Sequence, residues 1–242
     1  MDKNVLFVLC GGCRTFVDCF DSICEHVVTK MFDHENIYMF LYLKLTDPGP
    51  KDAECDKFVY GNVQLESLLT KIAASQEKYP HFRIECYILE RDEISNEDLW
   101  LQLKDRDLYT GFFSSDVNLL RAMHCHYNFE RCGHYILDKE ASLGKEFEYI
   151  VYVRPDLFFL EDCYRIEQYS KSLVTLGESE IWFTNDHIAI IPRHKMHDFF
   201  FDRIKVYREN TTKKFTMAEA VYWETIQPYE VQSMGRYFIK RC

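Results

Sequence analysis

Short continuous apolar runs alternate along this chain with stretches whose apolar residues recur every third or fourth position. Residues 4–10, Asn-Val-Leu-Phe-Val-Leu-Cys, predict a first buried strand that Gly11 and Gly12 break. Phe16, Phe20, Ile23, Val27 and Met31 follow at helical spacing, with Thr15 as cap and Asp18 as a capping-box partner. Residues 37–45 predict a second strand. Leu65, Leu68, Leu69, Ile72 and Ala73 predict a second helix that ends before Pro80. Residues 82–89 alternate and predict a third strand, and 93–113 a polar, partly helical connection. Ser114-Ser115-Asp116 opens a helix carrying Val117, Leu120, Met123 and Tyr127, and a further helical stretch covers 134–146.

The longest β-type run is Tyr149–Leu160, interrupted by Arg154, Pro155 and Asp156. Residues 149–153 predict a buried central strand, and proline, which has no N–H to donate, stops regular pairing near 155. Beyond it, strands over 180–184 and 187–192 flank Asn185-Asp186. Helices cover 194–207 and 217–226, and 236–240 is a last strand. The order βαβαβα(α)β predicts an α/β fold with a parallel sheet and helices on both faces.

That order gives two turns a chemical meaning. Arg154 and Asp156 arrive at the carboxyl end of a central strand, where open α/β sheets keep their ligands. A surface ion pair on a strand-ending turn explains the same two residues equally well. The Gly11-Gly12 turn lets backbone approach a ligand at a helix N-terminus, and Arg14 on that turn can pair with a phosphate. The pattern is neither Gly-x-Gly-x-x-Gly nor a P-loop. Glu90 and Asp92 end the third strand, where a ribose hydroxyl or base edge could be bound, but a solvated acidic loop running on to Asp98 accounts for them better.

Composition narrows the class. A chain of 242 residues without a linker-like shift predicts a single domain over 1–242, with a nucleotide-binding half at 1–115 and a second half at 116–242. Net charge is −10 with no basic block, which argues against a nucleic-acid partner. The opening apolar run is too short for a signal-peptide core or a transmembrane segment, so the ten cysteines read as reduced thiols of a cytoplasmic protein. The sequon at Asn210 then has no meaning. Cys10 and Cys13, and the grouping His124, Cys125, His126, Cys132 and His134, lack the paired half-sites of a zinc centre, so scattered core and surface roles are expected.

Four blocks in order carry a resemblance: Cys10-Gly11-Gly12-Cys13-Arg14-Thr15-Phe16; Tyr149–Phe158 with Arg154-Pro155-Asp156; Trp182-Phe183-Thr184-Asn185-Asp186-His187 with Pro192-Arg193 and Met196; and Ala218-Glu219 followed by Phe238-Ile239-Lys240-Arg241. Together they resemble a family of GT-A-fold glycosyltransferases, including members in large DNA viruses and microbes, with Arg-Pro-Asp or Arg-x-Asp where others have Asp-x-Asp. The opening departs from the family's Gly-Gln-x-Arg, and His187-Ile188 replaces its usual Arg-Phe or Gln-Phe.

The resemblance implies a GT-A-like, Rossmann-type mixed and mostly parallel sheet. It implies a metal-dependent, inverting hexosyl- or pentosyltransferase that moves sugar from a UDP-linked donor to a hydroxyl of a glycan or glycoconjugate. Asp156 would hold Mn²⁺ or Mg²⁺. Gly11, Gly12, Arg14, Asn118, Arg121 and Arg154 would bind the donor. The acceptor proton needs a base: Asp186 first, Glu219 second. Asn185-Asp186 also suits a two-residue hairpin, and Thr216 to Glu219 a capping box. His187 suits a metal, a phosphate or a structural role, and Trp182 and Trp223 suit core packing better than sugar stacking. Rival readings are a nucleotide hydrolase or nucleotidyltransferase, and a sugar-nucleotide-binding domain without catalysis.

Overall fold

Alternation along the apolar strands sorts their side chains into two cores. Val5, Phe7 and Leu9 enter one core with Tyr149, Val151 and Val153, while Leu6, Val8, Cys10, Ile150 and Tyr152 enter the other. Strands buried on both faces need helices on both faces, and the chain supplies them. A computed structural model describes residues 4–13, 15–32, 37–45, 65–178 and 187–239, with Phe238 and Ile239 described by their backbone alone.

In chain order, β1 (Val5–Gly12) leads to α1 (Phe16–Ser22), which continues through a π-helical segment, Ile23–Val28, into α2 (Thr29–Met31). Then come β2 (Ile37–Lys44), α3 (Leu65–Lys78), β3 (Phe82–Leu89), α4 (Asn96–Gln102) and α5 (Asp116–Leu143). The second half holds β4 (Tyr149–Val153), β5 (Leu157–Phe159), β6 (Val174–Gly177) and β7 (Ile188–Pro192). It closes with α6 (Met196–Phe200), α7 (Asp202–Glu209), α8 (Ala218–Ile226), β8 (Tyr229–Gln232) and β9 (Tyr237–Ile239).

Seven strands form one sheet in the order β3-β2-β1-β4-β7-β6-β8, and β5 pairs with β9 apart from it. β1 to β4 run parallel, β7 runs antiparallel to β4 and β6, and β8 is parallel to β6. The fold is therefore α/β with a mixed, mostly parallel sheet. The π segment and α3 cover one face, with α1. α5, α6 and α8 cover the other. Each fully buried Val, Leu or Ile contributes roughly 1.5–3 kcal/mol to such a core.

α5 spans 28 residues, or about 42 Å, and so outruns an eight-residue strand of about 26 Å. A third core forms on its overhanging half, where Leu119, Ala122 and Met123 meet Leu99, Tyr109, Phe113, Ile204, Tyr207 and Val221. At the seam with the second core, the buried Arg203 guanidinium lies 4.1, 3.9 and 4.0 Å from the rings of Phe129, Phe199 and Tyr222. These cation–π contacts join α5, α6, α7 and α8 at one point.

Several expectations are corrected. β1 does not stop at Cys10 but runs through Gly11 and Gly12, which pair with Leu43 and Lys44. The helix after Ser115 is continuous, because Gly133 serves packing: a Cβ there would stand 2.7 Å from the Phe201 ring. The helix over 194–207 is broken at Phe201. β6 and β8 are short strands without a sequence forecast, and the expected strand over 180–184 lies outside the described residues. Thr15 makes no side-chain capping bond, and α8 is capped in position by Met217 rather than by a Thr216–Glu219 box. Among the described residues, no helix is long and apolar enough to cross a membrane.

The amino end of β4 is fixed by a buried carboxylate. Glu140 accepts from Arg193 Nε at 2.8 and 3.0 Å and from the Phe147 backbone N–H at 2.9 Å. This joins the end of α5 to the end of β7. Glu140→Ala leaves a guanidinium and an amide without their acceptor, and should cost about 3 kcal/mol in urea unfolding. Glu140→Gln, which keeps an acceptor oxygen, should cost less. Wild-type stability in the alanine variant would remove the clamp from the account.

Candidate functional site

The carboxyl ends of β1 and β4 meet at the Arg154-Pro155-Asp156 turn. β4 stops at Val153 as the proline requires, and the chain re-enters a ladder only at β5. Gly11 has φ +148°, a conformation that favours glycine, and a Cβ there would stand 3.2 Å from Pro155 Cδ. The glycine of the first block thus lets Pro155 settle on the end of β1.

One residue of the third block, His187, and the closing strand of the fourth reach the same turn. Arg154 N–H donates to the His187 carbonyl at 2.8 Å. β5 pairs antiparallel with β9, matching Leu157 to Ile239, Phe158 to Phe238 and Phe159 to Tyr237. On its other side, the Phe159 N–H donates to Ser22 Oγ at 3.1 Å, and that hydroxyl donates to Cys19 O at 2.9 Å. The His187 ring packs edge-on against Tyr237 at 5.8 Å. The turn is held from four directions.

Within it, Arg154 and Asp156 form a two-bond fork. Nε donates to Oδ1 at 3.0 Å and an Nη to Oδ2 at 2.9 Å. Asp156 is the buried partner, with 6% of its side chain exposed against 24% for Arg154. A planar guanidinium matched to a carboxylate in this way is fixed in orientation as well as in charge. Removing one partner from a buried pair costs roughly 3–5 kcal/mol, and the solvent exposure of Arg154 lowers that here.

A divalent cation at Asp156 meets this arrangement. Mg²⁺ and Mn²⁺ take several oxygen ligands, and both Asp156 oxygens already accept from Arg154. Among the described residues, the one close grouping of three metal-ligating side chains is His197, Asp198 and Asp202. It follows β7 beyond Pro192, which pairs with Tyr149 at the opposite end of β4. Asp198 and Asp202 there face Lys195 and His197. The donor set at Asp156 as it stands does not fit the ion.

The zinc-like groupings are scattered, as expected. Cys10 lies in one core and Cys13 in the other, with its thiol donating to Lys44 O at 3.0 Å. Burial, then the neighbouring Cys10 thiol, push the Cys132 thiol well up, so it stays protonated and is a poor ligand. His124 turns to Asn96 and Asp92, and His134 lies edge-on to Phe201.

The remaining expected site residues divide clearly. Gly11, Gly12, Arg154 and Asp156 are brought together. Arg14, Asp186 and Trp182 lie outside the described residues. Asn118 and Arg121 are not brought to the turn. Cys132 of α5 lies beside Cys10, so Arg121 and Asn118 stand about 16 and 21 Å further along the helix. Asn118 donates instead to Phe112 O at 3.2 Å, and Arg121 is exposed. Glu219 is exposed on the first turn of α8, where its charge acts on Tyr207 of the third core. Trp223 packs against Tyr229 at 5.7 Å.

One constellation was missed. At the ends of β2 and β3, Lys44 pairs with Asp92 at 2.5 Å, and His124 stands 3.7 Å from Asp92 with its other nitrogen 2.8 Å from Asn96. Burial lowers the His124 pKa, with Asp92 opposing and Lys44 reinforcing. The available signal was Lys44 itself, a charge ending an otherwise apolar strand.

No family model and no curated protein matches the chain. Among solved structures, it is similar to the apo structure of WbbM, a bifunctional glycosyltransferase, at 9% identity and a TM-score of 0.49. It is also similar to the glycosyltransferase GlyE of Streptococcus pneumoniae TIGR4, at 9% identity and a TM-score of 0.45. The matches cover 97% and 96% of this chain but only 39% and 45% of those proteins.

Gly11→Ala should lower the melting temperature more than Gly144→Ala. Both glycines have positive φ, but a Cβ at 144 meets nothing within 4 Å. Strain of this kind costs roughly 1–3 kcal/mol, and contact with Pro155 adds to it at Gly11. Equal melting temperatures would mean that Pro155 moves aside freely.

Proposed function

We propose that the chain is a GT-A-type glycosyltransferase, moving a sugar from a nucleotide-sugar donor, UDP-linked in the first instance, to a hydroxyl of a glycan or glycoconjugate. One observation carries this reading. Residues from each of the four blocks that resemble one family, Gly11, Arg154 to Asp156, His187 and the β9 residues Phe238 and Ile239, meet at a single turn at the carboxyl end of the central strands. A surface ion pair does not need a glycine hollow, a facing strand end and a dedicated two-stranded ladder around it.

In the proposed reaction, the acceptor oxygen forms a bond to the anomeric carbon as the carbon–oxygen bond to the diphosphate breaks. The bonding pair leaves on the phosphate oxygen, and the hydroxyl proton passes to a carboxylate base. Arg154 is the charge for the diphosphate, and Arg14, two residues beyond Gly12 in sequence, a second. Asp186 is the base we favour, since His187 beside it in sequence bonds to Arg154. Glu219, exposed on the first turn of α8, is the second candidate. A single displacement of this kind inverts the anomeric centre.

The test is transfer from a panel of nucleotide sugars to glycan acceptors, with the product anomer read by NMR. Asp186→Asn should lower kcat by about 10²-fold or more while donor affinity changes little. Equal losses in both, or none, would leave Asp186 a turn residue. Release of nucleoside monophosphate without transfer would identify a hydrolase instead.

A further inference from the structure

The family resemblance asks for a metal at Asp156, and the side chains around it are arranged for another cation. Both Asp156 oxygens are engaged by one guanidinium at 2.9 and 3.0 Å. Of the two partners, Arg154 is the more exposed and Asp156 the more buried, so a ligand entering the turn meets the cation first. A divalent ion bound to Asp156 would sit within a few ångströms of that fixed positive charge and be repelled by it. For the ion to enter, Arg154 would have to leave.

Its backbone gives it little freedom to do so. Arg154 N–H is bonded to His187 O, Pro155 rests against Gly11, and β5 starts immediately after Asp156. Asp156 accepts two of the five guanidinium N–H groups and so sets the plane of the guanidinium. A permanently charged planar fork held in advance is the protein equivalent of a phosphate-binding cation.

We propose that Arg154, positioned by Asp156, is the cation that receives the donor diphosphate, so that donor binding and turnover proceed without a divalent metal. This rests on the glycosyltransferase reading. In it, the electron pair of the breaking bond leaves on a phosphate oxygen beside Arg154. Asp156 acts as a positioning residue, and the shared charge keeps Arg154 in place when no donor is bound.

The experiment uses the full chain with two probes, UDP and inorganic pyrophosphate. Each is titrated by calorimetry in EDTA and then in excess Mn²⁺, and Mn²⁺ binding alone is followed by electron paramagnetic resonance. Both probes should bind in EDTA with an affinity within about threefold of that in Mn²⁺, with no stoichiometric Mn²⁺ site in the protein alone. Arg154→Gln combined with Asp156→Asn removes both charges of the pair together. It should melt near wild type yet lose at least about tenfold in metal-free affinity. Arg154→Lys, which keeps the charge and loses the fork, should fall between the two.

Binding that appears only with Mn²⁺, or a stoichiometric Mn²⁺ site abolished by Asp156→Asn, would overturn the proposal and leave the glycosyltransferase reading standing. Unchanged metal-free affinity in a folded double variant would also overturn it. Failure of both probes to bind under either condition would overturn it together with that reading.

Discussion

Pro155 cannot extend the ladder of β4, and the carboxyl end of the sheet is built around that stop. With no N–H to donate, the residue ends pairing between two apolar runs, Tyr149–Val153 and Leu157–Phe159. The second run cannot remain in the sheet, so it takes β9 as a separate partner and Ser22 as a lateral bond. The ring needs a hollow, and Gly11 supplies it by omitting a side chain. The two residues flanking the proline then close on each other as a charge pair. A single ring thus explains why a strand end, a loop end and a closing strand share one place.

Much of the architecture was legible because burial on both faces leaves a plain record. β2 and β3 fall at or within one residue of their expected limits, since apolar runs and strict alternation are local properties. The misses have local causes too. β6 and β8 have four residues each, too few to show a period. The two helical stretches expected from Ser114 and over 134–146 are one helix, in which Gly133 is the hollow into which Phe200 and Phe201 pack. Gly11 and Gly12 look like the end of a strand, yet their backbones still pair with Leu43 and Lys44.

The site was legible as residue types but not as distances. Arg154 and Asp156 were recognisable as a strand-end pair, and the structure adds that each is the other's partner. Asn118 and Arg121 were grouped with the donor residues from their place one turn into a helix, which does not show how far that helix extends past the sheet. The overhang of α5 depends on how Phe129, Cys132 and Ile136 register against the strands, a tertiary fact.

α5 has one more consequence. It contributes Phe129, Cys132 and Ile136 to the core on the sheet and Leu119, Ala122 and Met123 to the core beyond it, with no break between. A helix shared in this way couples the melting of its two ends. Losing the outer core would expose half of α5 and the aromatic rings that surround Arg203, where the two cores meet. The overhanging layer is therefore bound thermodynamically to the sheet, and heat should unfold the two as one cooperative unit.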